Sequence, residues 1–86
     1  MKHATPATLA ALDDLLASLR ELPGLIEKKT GTFYRKSQAF LHFHEDDDGI
    51  AHADVKQDGQ WQRYRIATVK ERKALVRAVR AFLPPP

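Results

Sequence analysis

The chain has no cysteine, a single tryptophan, a single methionine and four glycines, and no uncharged run approaches the length of a bilayer. Each scarcity closes off a class of function. Without cysteine there are no disulfides, no thiolate metal sites and no cysteine nucleophile. None of the four glycines belongs to a phosphate-cradling loop, and neither Ser18 nor Ser37 has the flanking glycines of a nucleophile elbow. A membrane-spanning helix needs about 20 apolar residues in succession, which are lacking. Met1–Pro6 also lacks the apolar core of a signal peptide. The expectation is a cytoplasmic protein that does not enter a membrane and is not an enzyme.

What is present fits one domain over residues 1–86, with 43% hydrophobic and 29% charged residues. A chain of this length closes one core but not a large buried catalytic cavity, so it is expected to work at its surface. Net charge is +3 and unevenly spread. Residues 1–54 hold six Lys or Arg against nine Asp or Glu, and residues 55–86 hold eight against two. A basic C-terminal third points to an acidic partner, either nucleic acid or an acidic protein.

Alternation organises the middle of the chain. Ala39-Phe-Leu-His-Phe-His44 and Ile50-Ala-His-Ala-Asp-Val-Lys56 read as strands, because strand side chains point to opposite faces with period two. Ala39, Leu41 and Phe43 then form a core face, and Phe40, His42 and His44 the opposite one. Glu45–Gly49 is an acidic loop between them, without the oxygen spacing of a calcium loop. Pairing His42 with His52 sets Phe43 against Ala51 and Leu41 against Ala53, which joins the apolar sets. Asp58-Gly59 marks a type I′ hairpin, in which both central residues take positive φ. It places Lys56 beside Trp61, Asp54 beside Arg63 and His52 beside Arg65, while Tyr64 and Ile66 extend the core. Thr32–Lys36 reads as one further strand, turning at Ser37-Gln38.

Helices flank the sheet. Thr5 caps a helix with Pro6 in its first turn, and Leu9, Leu12, Leu16 and Leu19 form its apolar stripe until Pro23-Gly24 ends it. Asp13 and Asp14 diverge by about 100° on that helix, so they are a solvated edge rather than a catalytic pair. Leu25–Gly31 is a connection or irregular strand. Thr68-Val-Lys-Glu71 is a capping box opening a second helix, with Leu75, Val76, Val79, Phe82 and Leu83 toward the core. The chain thus predicts an α+β fold: a two-layer sandwich whose antiparallel meander of three to four strands is covered on one face by N- and C-terminal helices. Residues 1–4 and 84–86 are expected to fray.

Three surfaces follow. His42, His44, His52 and Asp54 together supply three imidazoles and a carboxylate, a ligand set suited to zinc. The competing assignment is a wet polar face on which Asp54 pairs with Arg63. Lys70, Lys73, Arg77 and Arg80 occupy an arc of about 80° on the second helix. With Arg63, Arg65, Trp61 and Phe40 on the open sheet face, they offer cations for phosphates and rings for bases. Phe40 and Trp61, with Phe33, are also an apolar patch on which two copies of the chain would form a homodimer. His42 or His52 as a general base has nothing in the sequence to distinguish it from any exposed histidine.

The order helix, Leu22-Pro23-Gly24, meander, then Glu71-Arg72 and Leu75 resembles the MmcQ/YjbR-like proteins. The resemblance implies a compact α+β fold similar to the frataxin-like one and a poorly defined function in which DNA binding is suspected. This chain differs in its shorter length and histidine-rich strand. The resemblance assigns no role to any residue.

Overall fold

The computed structural model describes residues 1–83, so the expected fraying of Pro84–Pro86 lies outside the described residues. The chain runs through β1 (Lys2–His3), α1 (Pro6–Ala11), α2 (Asp13–Arg20), β2 (Ile26–Lys29), β3 (Thr32–Arg35), β4 (Gln38–Glu45), β5 (Ala51–Gln57), β6 (Gln60–Arg65) and α3 (Val69–Phe82). The strands form one antiparallel sheet in the order β2-β3-β4-β5-β6, and β1 pairs with the far end of β4. This is the expected α+β arrangement, with a longer meander than three to four strands and an ordered N-terminus instead of a frayed one. Among the described residues no helix is long and apolar enough to cross a membrane.

One sheet face is covered. Leu12, Leu15, Leu16, Leu19 and Leu22 from the N-terminal helices meet Phe33, Leu41, Phe43, Ala53, Val55 and Ile66 from the sheet and Leu75, Val79 and Leu83 from the end of the chain. Leucines three and four apart supply the helical stripe, and alternation supplies the sheet face. The N-terminal helix is broken at Leu12, whose N–H donates to Leu9 O at 3.0 Å in a tightened, three-residue turn. Asp13 and Asp14 then fall in the first turn of α2, where the helix dipole favours negative charge. Thr68 and Glu71 close the capping box of α3 as the sequence predicts.

The β5–β6 hairpin also matches: Asp58 and Gly59 have φ of 51° and 80°, and Lys56, Asp54 and His52 oppose Trp61, Arg63 and Arg65. The β4–β5 register does not. His44, not His42, opposes His52, with His42 opposite Asp54 and Leu41 opposite Val55. A slip of two residues leaves every side chain on its expected face. Its cause is Asp46, whose Oδ1 accepts the N–H groups of Asp48 and Ile50, both at 2.9 Å, and closes the loop early. Glu45 is thereby drawn into the strand.

Two further departures follow from local geometry. The β3–β4 turn is centred on Lys36-Ser37, both in left-handed conformation with φ of 52° and 66°. Between the pairs Phe33–Leu41 and Tyr34–Ala39 the fourth strand carries one extra residue, Phe40. That bulge reverses the local facing. Phe40 is 3% exposed, and its ring stacks on Phe82 with centroids 5.9 Å apart. It belongs to the core, and the expectation that it faces outward beside Trp61 is corrected.

Two substitutions test this architecture by urea denaturation. Leu41→Ala removes a fully buried side chain and is expected to cost about 2–5 kcal/mol. Ser37→Gly is expected to stabilise the fold by roughly 0.5–1 kcal/mol, the relieved left-handed strain less the added entropy of a glycine.

Candidate functional site

The open sheet face is dominated by imidazoles, brought together by short-range pairing. Alternation aims His42 and His44 outward from β4. His3 of β1 lies directly opposite His44. His3 stacks on His44 with centroids 4.9 Å apart and planes inclined by 27°, and His42 meets His44 edge-on at 4.7 Å. The ring nitrogens His44 Nε2 and His42 Nδ1 are hydrogen-bonded at 2.7 Å. One ring nitrogen from each of His3, His42 and His44 lies within 4.8 Å of the others. The ring of Trp61 packs edge-on against His42 at 4.7 Å.

The expected quartet of His42, His44, His52 and Asp54 is not what converges. His52 turns to the hairpin loop, where its Nε2 lies 3.2 Å from Asp46 Oδ2. Asp54 is held by Arg63 in a two-point ion pair, with Nε and the terminal nitrogen at 2.8 and 2.9 Å from its two oxygens. This is the competing pairing that the sequence allowed, and its planar fork leaves Asp54 few free lone pairs. Asp54 still touches the imidazoles, its Oδ2 lying 3.4 Å from His44 Nε2. His3 takes the place of His52. The sequence signal was slight: a histidine two residues before a helix N-cap, which becomes informative only once that segment is known to pair with β4.

Electrostatics follow from burial. Desolvation pushes the pKa of His42 down, helped by the neighbouring His44, and desolvation likewise lowers that of His44 against the opposing pull of Asp54. The Arg63 hydrogen bond lowers the pKa of Asp54 despite its burial. Both imidazoles are therefore favoured in the neutral form, which is the form that accepts hydrogen bonds and binds metals.

The cationic surface is elsewhere. Lys70, Lys73, Arg77 and Arg80 are all exposed on α3, on the layer away from the histidines. None of the four is in an ion pair among the described residues. On the sheet, by contrast, Arg63 is bound to Asp54 and Arg65 reaches Glu71 at 3.4 Å. A cleft of about 340 Å³ beside the C-terminal end of α3 adds Arg35, Lys36 and Lys56 around Phe82, with Asp58 as its one acid. No periodicity in the sequence singles out these three cations, which come from separate strands and a turn. The apolar patch expected to draw two copies together shrinks to Trp61, 44% exposed, since Phe33 and Phe40 are both buried.

Stability should report these shifts. A base with a depressed folded pKa is protonated more readily when unfolded, so stability falls as pH drops below 6.5, the ordinary value for His42 and His44, toward their folded values. Asp54 gives a second loss below 3.8, as pH falls toward its lowered folded value. Thermal melts in a metal-chelating buffer should show the first step setting in as pH falls through about 6.5, and His42→Gln should flatten it. No family model, curated protein or solved structure matches the chain.

Proposed function

We propose that this domain is a non-enzymatic binding module for a polyanion, namely the phosphate backbone of a nucleic acid, which it meets with the basic flank of α3. The observation that carries this reading is the grouping of four exposed cations on one arc of α3 with no acid among them. Arg20, Arg63 and Arg65 each have a carboxylate partner, whereas Lys70, Lys73, Arg77 and Arg80 are exposed along one flank and have none among the described residues. Unpaired cations at helical spacing attract phosphates by releasing condensed counterions, a gain that depends on charge rather than base sequence. The suspected DNA binding of the MmcQ/YjbR-like proteins points the same way.

Base stacking has a smaller part than the sequence suggested. Phe40 is in the core and Trp61 faces the other layer, packed against His42. Recognition is therefore of backbone, with little base readout. Fluorescence anisotropy with a labelled oligonucleotide tests this. Affinity should fall steeply with added salt. Lys73→Glu combined with Arg77→Glu should weaken binding and lower the salt slope by about 0.7–0.9 for each phosphate no longer neutralised. Arg65→Gln should leave it unchanged. Absence of binding at low salt would remove the proposal.

A further inference from the structure

We propose that His3, His42 and His44 bind one divalent transition-metal ion of the zinc type, on the sheet face opposite the basic helix flank. Two features converge on it. First, two paired strands bring three imidazoles to one point, with a ring nitrogen from each within 4.8 Å of the others. A tetrahedral ion with bonds of about 2.0–2.1 Å needs its ligand nitrogens about 3.3 Å apart. His42 and His44, hydrogen-bonded at 2.7 Å, need only open slightly to admit an ion between them. His3 is exposed and, with His42, lines a cleft of about 350 Å³.

Second, the surrounding charge suits a cation. Asp54 Oδ2 lies 3.4 Å from His44 Nε2 and Arg63 fixes that carboxylate from behind, so negative charge is held beside the nitrogens that would face the ion. An all-imidazole set without thiolate or ligating carboxylate selects zinc, nickel or copper over magnesium and calcium. Three protein ligands leave a fourth position, on the exposed side, for water or an outside ligand.

The test is calorimetric titration of zinc into the tag-free chain. One ion per chain with a Kd tighter than about 10 µM is expected. His3→Ala, at an exposed residue that leaves the core intact, should weaken binding about tenfold or more. His52→Gln should bind as the parent does, and cobalt in place of zinc should give the strong visible absorption of a tetrahedral site. Zinc should also raise the melting temperature of the parent more than that of His3→Ala at the same concentration. Affinity weaker than about 10 µM overturns the proposal, as does parent-like affinity in His3→Ala or an equal loss in His52→Gln.

Discussion

The carboxylate of Glu45 fastens the first helix to the sheet. It accepts the Thr5 N–H at 2.7 Å and the Thr8 hydroxyl at 2.9 Å, while Thr5 Oγ1 caps α1 by accepting the Thr8 N–H at 3.2 Å. Those bonds hold the Glu45 pKa below the ordinary carboxylate range. They also settle where the chain goes before the helix. With Thr5 fixed over the end of β4, Ala4 N–H reaches Phe43 O at 3.1 Å, and Lys2 and His3 run alongside Glu45 and His44. A two-residue strand cannot hold itself in place. The helix cap holds it, and with it the third imidazole.

A second consequence is the division of the molecule into two chemically distinct sides. On the open sheet face the two arginines are answered locally, Arg63 by Asp54 and Arg65 by Glu71, so the histidines sit beside a neutralised pair rather than beside free guanidinium groups. Unpaired guanidinium groups there would repel any metal ion, and the Asp54 fork reduces that field. On the helical side no acid answers Lys70, Arg77 or Arg80 among the described residues. The asymmetry visible in the sequence as a basic C-terminal third thus becomes a spatial one, because α3 lies on the opposite layer from the imidazoles of β4.

What the sequence made legible was parity and punctuation. Asp58-Gly59 set the last hairpin to the residue, since positive φ at two successive positions leaves few alternatives, and the capping box located the start of α3. The leucine stripe and the alternation in β4 and β5 identified the core. Register between β4 and β5 escaped because a shift of two residues leaves the apolar pattern unchanged, and the deciding interaction, Asp46 with two loop amides, is a side-chain bond no periodicity encodes. Phe40 escaped because a bulge breaks alternation where the pattern looked unbroken. His3 escaped because the strand that carries it exists only through Glu45, far away in sequence.

The same dependence ranks the two surfaces. The basic flank stands on α3, anchored by Leu75, Val79 and Leu83 in the main core, so its geometry persists as long as the domain is folded. The imidazole cluster draws one of its three members from β1, a segment with no buried residue of its own, held by backbone pairing and the Glu45 cap. Such edges open before the core does. An ion spanning β1 and β4 would bind the closed segment and not the open one, so its binding free energy would go partly into ordering the N-terminus. The histidine face is therefore the conditional surface of the molecule and the helix flank the constitutive one.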